Sequence, residues 1–501
     1  MTVSPPQSTR WLFGDQLGPH FLDSPDQRVV VIESRAVFRR RVFHRAKAHL
    51  ILSAMRHRAA ELGEQCTYLK TDTYREGLSH VDGPLSVCQP TSWVADHFVR
   101  RLAGAGELEV LPARGFATSR EDFTAWADGR GRRRLLMEDF YRDARRRLGL
   151  LMDGGDPVGG RWNFDEDNRD PPPRQQKTLG LPDPYRPVED DIDAEVRADL
   201  DRWAADGDVR FAGEDSPRWF AATRRETLAT LGDFLAHRLA GFGPHEDAML
   251  DGDPWMAHSM LSAPMNLGLV DPVEVVQRAE QCFREGDAPL ASVEGFCRQV
   301  VGWRDYVWNL YWYLGEDYRD GNALQANAPL PDWLGELDDT APQAACLTGV
   351  LGDLRRHGWV HHIPRLMVLG NWFLTHGIRP LEVSTWFQRC FVDGYDWVMI
   401  PNVVGMSQHA DGGVMATKPY ASGGAYIDRM SDYCGGCRYD PKVRVGDQAC
   451  PFTAGYWRFL HDHADRLAGN HRMGRAVAGL SRLRDLDALL AQERDRGTSA
   501  P

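Results

Sequence analysis

Long apolar runs are absent from this 501-residue sequence. No stretch approaches the ~20 apolar residues that a membrane-spanning helix needs, and the first residues, MTVSPPQSTR, contain no apolar core of a secretory signal. Internal repeats and low-complexity segments are lacking too. We therefore expect a globular, cytoplasmic protein without a membrane partner, and its length predicts at least two domains.

An excess of basic residues is also lacking, because the formal net charge is −12 at pH 7. This balance argues weakly against a nucleic-acid partner, whose phosphates are bound by Lys and Arg side chains. Basic residues are nevertheless clustered at 39–41, 130–134 and 145–147. Each cluster taken alone is typical of a solvated helix face, so charge by itself does not decide whether the protein binds a nucleic acid.

Strand signals are confined to the first part of the chain. Short β-branched or apolar runs predict strands at residues 11–13, 28–32, 66–69 and 108–111. Residues 46–62, between two of these runs, carry apolar side chains at helical spacing. The alternation predicts a parallel, doubly wound sheet in an α/β domain at residues 1–150.

After residue 150 the pattern changes twice. Residues 151–222 are polar and punctuated by glycine and proline pairs, which predicts a connector between domains. Residues 223–501 show helical periodicity almost throughout, which predicts an all-α domain. The clearest predicted helices are residues 224–239, 272–283, 293–313 and 354–373.

Nine cysteines are present, and an odd number without a secretory signal argues against a disulfide framework. Cys434 and Cys437 form a CxxC motif, and Cys450 follows after twelve intervening residues. Cys346 and Cys390 are the nearest upstream cysteines that could complete a set of four. Four thiolates suit either one zinc ion or a [4Fe–4S] cluster, and the spacing leaves both choices open.

The adjacent residues His361 and His362 are candidates for proton transfer, because imidazole titrates near neutral pH. Neighbouring helical residues point about 100° apart, so the two rings are expected to have different roles. An isolated pair of this kind is more often a structural feature at a helix end, or forms an i,i+4 metal face with His357. The surrounding sequence decides between these interpretations.

Several segments resemble, in order, the iron–sulfur bacterial cryptochromes and photolyases, a group that includes the prokaryotic (6-4) photolyases. The segments are residues 14–17 (GDQL), 53–56 (SAMR), 158–164 (VGGRWNF), 361–367 (HHIPRLM), 392–408 (VDGYDWVMIPNVVGMSQ), 417–420 (TKPY) and 426–451 (YIDRMSDYCGGCRYDPKVRVGDQACP). The resemblance spans nearly the whole chain. It implies the photolyase/cryptochrome architecture, in which an α/β antenna domain precedes a helical FAD-binding domain.

The resemblance also implies three cofactors. A [4Fe–4S] cluster is expected on Cys346, Cys434, Cys437 and Cys450. FAD is expected against His258, Ser259, Leu261, Ser262, Trp303, Arg304, Arg365, Asp393 and Asn402. In that set, Arg365 and Asp393 match an ion pair that lies beside the flavin ring. The antenna chromophore 6,7-dimethyl-8-ribityllumazine is expected near Asp15 and Glu33, at strand ends of the sheet.

The reaction implied by the resemblance is light-dependent repair of (6-4) photoproducts in UV-damaged DNA. Excited, reduced FAD would give an electron to the lesion. His362 is expected to donate a proton, with His361 supporting it, and Tyr420 and Tyr426 are expected to line the lesion pocket. A monomer is expected.

Trp386 matches a position that relays electrons to the flavin in the resembling proteins. It is followed by Phe387 where relatives carry tyrosine, and phenylalanine cannot deprotonate after it is oxidised. The sequence therefore predicts Trp386 as one relay residue and leaves the rest of the path open.

Two other functions are compatible with the sequence. A blue-light receptor that repairs nothing would keep FAD and the cluster but would not need the histidine pair, so His361 and His362 favour repair. A nucleic-acid-binding module with zinc or an iron–sulfur cluster, and without flavin, would use the cysteines alone.

Overall fold

The computed structural model describes residues 8–131, 134–173 and 176–501. Arg132 and Arg133 of the basic cluster at 130–134 lie outside the described residues. The first part of the chain forms a parallel sheet and the remainder is almost entirely helical, as the sequence predicts. Within the described residues, no helix is both long enough and apolar enough to cross a membrane.

Five parallel strands form the sheet of the α/β domain. In spatial order they are Cys66–Thr71, Val29–Ser34, Thr9–Leu12, Leu85–Cys88 and Glu109–Leu111. The order runs outward in both directions from the strand that comes first in the chain, which is the predicted doubly wound topology. Trp11, Val30 and Val87 lie side by side across the centre and are fully buried, because both faces of such a sheet are covered.

Helices pack on both faces of this sheet. Their bounds are Arg35–Arg39, Arg45–Leu62, Tyr74–Leu78 and Trp93–Gly104. The next two helices, Arg120–Asp128 and Met137–Leu148, pack against Asp305–Tyr313 of the helical domain instead. The short strand Phe43–His44 pairs with Phe211–Ala212, and Met152–Asp153 pairs with Asp156–Pro157. The predicted helix at 46–62 is therefore confirmed, together with the strands around it.

The helical domain consists of many short and medium helices. They are Arg224–His237, Leu239–His245, Ser262–Asn266, Pro272–Glu285, Leu290–Cys297, Asp305–Tyr313, Asp332–Gly335, Ala345–His357, Asn371–Thr375, Pro380–Cys390, Asp396–Ile400, Gly424–Met430, Pro451–Asp462, Ala464–Leu467, Gly474–Ala478 and Leu486–Arg496. Four of them adjoin π-helical segments, which span Arg298–Arg304, Pro364–Gly370 and Pro401–Ser407.

The prediction of one helix over residues 354–373 is wrong. The first helix ends at His357, because Gly358 has a φ of +62°, in the left-handed region that favours glycine. Helical structure resumes at His362, and Pro364 lies in its first turn, where a missing N–H does no harm. The break places His361 in the connection between two helices.

The predicted connector at 151–222 contains a 15-residue helix, Asp191–Ala205, that the sequence analysis did not identify. A capping box begins this helix, which satisfies its first backbone N–H groups. The helix packs on Arg45–Leu62, where Arg56 reaches Asp199 at 2.5 Å. This helix is thus ordered against the α/β half, whereas Phe164 and Asn168 of the same connector bond to Glu294 and Ala291 of the helical domain. The division of the chain at residues 150 and 222 stays a prediction.

Lys47 joins the two halves of the molecule. Its side chain is buried, and its Nζ donates hydrogen bonds to the backbone carbonyls of Gln388, at 2.5 Å, and Gly394. Burial lowers the pKa of Lys47 to about 7, although the negative charges of Asp396 and Asp393 oppose this effect. The amine therefore changes charge near neutral pH while it holds the backbone next to Asp393.

The free energy of unfolding should depend on pH through Lys47. The unfolded chain keeps a proton on this amine up to its ordinary pKa of 10.5, whereas the folded protein releases it near pH 7. Stability therefore rises as the pH increases between these values. The variant Lys47→Met lacks this titration. Between about pH 7 and about pH 10 we therefore expect the parent to gain roughly 1–4 kcal/mol of unfolding free energy relative to the variant. Denaturant unfolding at both pH values measures this, and a difference independent of pH would contradict it.

Candidate active site and cysteine cavity

An ion pair between Arg365 and Asp393 is buried in the helical domain. Nη1 and Nη2 of Arg365 donate to Oδ1 and Oδ2 of Asp393 at 2.9 and 3.0 Å. The same carboxylate accepts hydrogen bonds from Ser262 Oγ at 2.7 Å and from Trp359 Nε1 at 3.2 Å. A buried carboxylate is stable only when it is paired and hydrogen-bonded in this way. The structure therefore brings together the two residues that the sequence predicted as a pair.

Residues 258–262, which include four of the residues predicted to contact FAD, lie directly beside this pair. Met260 has a φ of +59°, in the left-handed region that residues other than glycine rarely adopt. Ser259 Oγ accepts a hydrogen bond from the backbone N–H of Leu261 at 3.3 Å. Ser262 begins a short helix, and its hydroxyl donates to the carboxylate of the ion pair rather than pointing to a free space.

The remaining residues predicted to contact FAD lie in the three π-helical segments. Trp303 and Arg304 end the first segment, Arg365 lies in the second and Asn402 in the third. The Asn402 amide donates to the Val398 carbonyl of the preceding turn at 2.8 Å. A π-helical turn interrupts the regular hydrogen bonds of a helix and is frequent at functional sites. A π-helical turn occurs in all three of these segments, which supports the prediction that their residues contact FAD.

Arg304 is buried between aromatic rings. Its guanidinium carbon lies 4.5 Å from the ring centre of Phe116 and 5.1 Å from that of Trp397. Burial lowers the pKa of Arg304 to about 10, and its Nε has no hydrogen-bond partner in the described part of the chain. A buried donor normally has an acceptor. The environment of Arg304 therefore fits a bound cofactor that offers oxygen or nitrogen acceptors, as FAD does.

His258 and His361 form a buried, stacked pair. Their ring centres are 4.3 Å apart and the ring planes differ by 23°. Ring nitrogens of these two residues and of His362 lie within 4.8 Å of one another. A metal ion binds in the plane of an imidazole ring, so two stacked rings cannot share one ion without rotating. Burial lowers the pKa of His258 and of His361 well below the usual range, so both rings are neutral near pH 7.

His362 has a different environment from its neighbour, as the helical geometry predicts. Its side chain is 42% exposed, and its Nε2 lies 3.4 Å from Oδ1 of Asp247. This carboxylate is the acidic partner of the exposed ring. Beside it, burial raises the pKa of Glu246 to about 7. The sequence analysis missed Asp247; the available signal was the acidic pair at 246–247 directly after a histidine.

Tyr420 and Tyr426 are half-buried near the same carboxylate. Burial raises the pKa of both phenols, and negative charges that include Asp247 raise it further. The positive charges of exposed arginines nearby lower the pKa of the phenols; these residues are Arg169, Arg429 and Arg472. These electrostatic effects on the pKa weaken with distance, so the arginines lie close to the two phenols. Together they surround the region of the surface that contains His362.

The four cysteines predicted as cluster ligands line a single cavity, with about 290 Å³ of empty space. They are Cys346, Cys434, Cys437 and Cys450. Cys346 lies in the first turn of Ala345–His357, and Cys450 directly precedes Pro451–Asp462. Cys390 is buried at the end of Pro380–Cys390, away from this lining. The tertiary structure thus groups Cys346, and not Cys390, with the other three.

Backbone groups approach the sulfur atoms closely. The N–H groups of Ala345 and Tyr439 lie 3.5 and 3.4 Å from Cys437 Sγ. A Cβ atom on Gly424 would lie 2.7 Å from Cys450 Sγ, so only glycine fits at that position. Hydrogen bonds of this kind stabilise metal-bound thiolates and tune the potential of iron–sulfur clusters.

The spacing of the sulfur atoms distinguishes two kinds of metal centre. Among the described residues, no three cysteine Sγ atoms lie within 4.8 Å of one another. A single tetrahedral zinc ion, with Zn–S bonds of about 2.3 Å, holds its sulfurs only about 3.8 Å apart. A [4Fe–4S] cluster carries each cysteine on a separate iron and holds the four sulfurs further apart. Four cysteines that face one cavity meet the ligand requirement of a [4Fe–4S] cluster, and its presence stays a prediction.

Trp386 is fully buried, and its indole N–H donates to the Leu334 carbonyl at 2.7 Å. Its ring neighbours are all phenylalanines: Phe387 at 5.1 Å, Phe373 at 5.2 Å and Phe391 at 6.0 Å between ring centres. No second tryptophan or tyrosine ring is in direct contact with it in the described part of the chain. The predicted relay residue is thus surrounded by rings that are difficult to oxidise.

The two residues predicted to bind the antenna chromophore lie at neighbouring strand ends. Asp15 follows Thr9–Leu12; burial raises the pKa of its carboxyl, which accepts a hydrogen bond from Thr91. Glu33 receives a bidentate pair of hydrogen bonds from Arg56, at 3.0 and 3.1 Å, and a third from Tyr68 at 2.6 Å. Glu33 is therefore engaged within the α/β domain, and its role toward a chromophore stays a prediction.

Comparisons with known proteins agree with this geometry. The family profile described as "Deoxyribodipyrimidine photo-lyase-related protein" matches residues 10–209. The chain is 40% identical, over 500 aligned residues, to a protein of Agrobacterium fabrum named "(6-4) photolyase"; the alignment covers 94% of this chain and 95% of that protein. A shorter similarity, 42% identity over 107 residues, covers 21% of this chain and 80% of an uncharacterized protein of Acanthamoeba polyphaga mimivirus.

Two crystal structures share the fold. A bacterial class III photolyase from Agrobacterium tumefaciens has a TM-score of 0.60 at 16% identity, over 93% of this chain and 99% of that chain. A cryptochrome from Synechocystis sp. PCC6803 has a TM-score of 0.54 at 14% identity, over 82% of this chain and 84% of that chain. At these low identities the two structures establish the fold alone, whereas the nearly full-length similarity at 40% identity establishes the family. The chain therefore belongs to the photolyase/cryptochrome family, in the group of bacterial (6-4) photolyases.

Proposed function

We propose that this protein repairs (6-4) photoproducts in UV-damaged DNA and uses light as the energy source. One observation carries the proposal: the exposed His362 is paired with Asp247 and has the buried Arg365–Asp393 pair behind it. This combines a proton donor that a bound lesion can reach with a charged site suited to a redox cofactor. The (6-4) photolyase of Agrobacterium fabrum, similar over almost the whole chain, supports the same reaction.

FAD fits the buried side of this site. Arg365 and Asp393, the bent segment at 258–262 and the unpartnered Nε of Arg304 would hold it. When it is bound and reduced, FAD supplies the electron that opens the lesion after light absorption. The Arg365–Asp393 pair would contribute fixed charges beside it, in a region from which water is excluded.

His362 would donate the proton that the lesion needs. Its exposure lets it reach a bound base, and the Asp247 carboxylate, 3.4 Å from Nε2, holds the ring in position. His361 would act as a positioning residue, because its neutral ring is stacked on His258 and fixes the start of the segment that carries His362.

A damaged base must leave the duplex stack to reach such a site. The phenols of Tyr420 and Tyr426 stay protonated at neutral pH, because burial raises their pKa. They would therefore line the pocket as neutral rings that stack on the base or donate hydrogen bonds. Arg169, Arg429 and Arg472 would contact the phosphates around the opening, which offsets the negative net charge of the chain locally.

We also propose a [4Fe–4S] cluster on Cys346, Cys434, Cys437 and Cys450. It would join the start of Ala345–His357 to the segments on either side of the CxxC motif, and so support the helix that leads to the histidines. For the α/β domain we propose 6,7-dimethyl-8-ribityllumazine as the antenna, at the strand ends near Asp15 and Glu33.

Repair of an oligonucleotide with a single (6-4) photoproduct tests the proposed reaction. The parent should remove the lesion only under light, and His362→Ala should reduce the repair rate by about 100-fold or more, since a general acid contributes this much. Its flavin absorption should remain, because His362 lies on the exposed side of the site. His80→Ala, at an exposed histidine of the α/β half, is the matched control.

A second variant adds a sharper criterion. Asp247→Asn keeps the size of the side chain but removes the carboxylate that lies 3.4 Å from His362 Nε2, so repair should slow while the flavin absorption stays that of the parent. Lesion loss in the dark, or full repair by His362→Ala, would be incompatible with the proposal.

Binding of DNA should depend on Arg472. This exposed side chain donates to Thr417 Oγ1 at 3.0 Å and lies close to Tyr420. We expect Arg472→Ala to weaken binding of undamaged and damaged duplexes alike, and to reduce the salt dependence of binding by about one phosphate contact. Titrations at several salt concentrations measure this. Arg75→Ala, at an exposed arginine of the α/β half, should behave as the parent does.

The metal content distinguishes the cluster from zinc. We expect iron and acid-labile sulfide at roughly four of each per chain in anaerobically purified protein. Cys434→Ser should lose both, whereas Cys390→Ser, which changes a buried cysteine outside the cavity, should retain them. Zinc in the parent without labile sulfide would refute the assignment.

A further inference from the structure

Lys47 is a buried lysine without an ion-pair partner. Its side chain is 3% exposed and donates only to backbone carbonyls, and no carboxylate in the described part of the chain lies within ion-pairing distance of its Nζ. A buried charge without such a partner is costly, and an apolar side chain of similar length would fill the same space at a lower cost. The stability of the fold therefore does not explain why a lysine stands at this position.

The two hydrogen bonds of Lys47 fasten the tight turn that carries Asp393. Its Nζ donates to the carbonyl of Gln388, in the last turn of Pro380–Cys390, and to that of Gly394. A Cβ atom on Gly394 would lie 2.6 Å from a carbonyl oxygen of that helix, so only glycine allows the chain to turn so sharply. One ammonium group thus holds both sides of the turn and fixes the place of the Asp393 carboxylate.

The contact reaches from one half of the molecule into the other. Lys47 belongs to the helix Arg45–Leu62 of the α/β half, whereas Asp393 lies in the helical half. The ammonium nitrogen lies 5.2 Å from the ring centre of Phe43 and 5.3 Å from that of Tyr395. Aromatic faces attract a cation and also shield it from water. The charge of Lys47 therefore acts through a region of low dielectric constant, where it is weakly screened.

The charge of Lys47 is coupled to the charge of Asp393. Burial lowers the pKa of Lys47 to about 7, and the negative charges of Asp396 and Asp393 oppose this effect. Coulomb interactions are reciprocal, so the ammonium stabilises negative charge at Asp393 and in its surroundings. The other titratable groups that face Lys47 are Arg41, His44 and Cys390.

We propose that Lys47 is a positioning residue of the flavin site and that its positive charge raises the reduction potential of FAD. This inference rests on the proposed function, because it requires FAD beside Arg365 and Asp393. Reduction adds two electrons and one proton, so the flavin ring gains one negative charge. The ammonium held behind Asp393 stabilises that charge, and it does so most below neutral pH, where the amine is fully protonated. The α/β half thus takes part in the chemistry of the helical half.

Spectroelectrochemical titration of the holoprotein, with a redox mediator as the electron source, measures this effect. At pH 6 we expect Lys47→Met to lower the ratio of reduced to oxidised FAD at a fixed potential by about tenfold, which corresponds to a midpoint potential about 30 mV lower for two electrons. At pH 9 the amine of the parent is largely neutral, so this difference should shrink. Lys70→Met, at an exposed lysine of the α/β half, should match the parent at both pH values.

Lys47→Arg is the conservative variant that separates charge from packing. A guanidinium keeps its proton at pH 9, so this variant should match the parent at pH 6 and have a higher potential than the parent at pH 9. A purely structural role of Lys47 would not produce this dependence on pH. Equal potentials of the parent and Lys47→Met at pH 6 would overturn the proposal. If Lys47→Met does not retain FAD, equal potentials of the parent and Lys47→Arg at pH 9 would overturn it instead.

The parent protein distinguishes a failure of this inference from a failure of the proposed function. A parent that binds FAD and repairs the (6-4) lesion under light, with a potential that Lys47→Met leaves unchanged, would refute the role of Lys47 alone. A parent that binds FAD and shows the expected shift, but repairs nothing, would refute the repair function alone. Absence of flavin bands from the parent would refute both.

Discussion

The carboxylate of Asp393 is the point at which several parts of this protein meet. It accepts two hydrogen bonds from Arg365, one from Ser262 of the bent loop and one from Trp359. The next residue, Gly394, accepts a hydrogen bond from Lys47 of the α/β half. A buried carboxylate without these donors would be costly, so the ion pair, the loop, Trp359 and the domain contact stabilise one another.

The interruption of the helix between His357 and His362 is equally important for the chemistry. An unbroken helix would carry His361 and His362 on adjacent faces of one regular surface. Because Gly358 ends the first helix, His361 turns inward to stack on His258, while His362 faces the solvent beside Asp247. Burial then keeps the His361 ring neutral, whereas the His362 ring lies at the surface beside a carboxylate. Two identical residues acquire different chemistry from their surroundings.

The acidic net charge, which argued weakly against nucleic acid, proves a poor guide to the partner. The family to which the chain belongs acts on DNA, and exposed arginines surround the region of Tyr420 and Tyr426. DNA binding depends on the electrostatic field near the site rather than on the net charge of the whole chain, because salt screens charges that are further apart than about 10 Å.

The sequence by itself determined the fold class, the doubly wound sheet, the resemblance to photolyases and the four cysteines, because periodicity and motif spacing are local properties of a chain. It also identified Arg365 and Asp393, since both lie within recognisable motifs. It did not reveal the helix Asp191–Ala205, which depends on packing against Arg45–Leu62, nor the break at Gly358 within an otherwise helical pattern. Asp247 also escaped it. Its partner His362 lies more than a hundred residues further along the chain, and distance in space is fixed only when the helices have packed together.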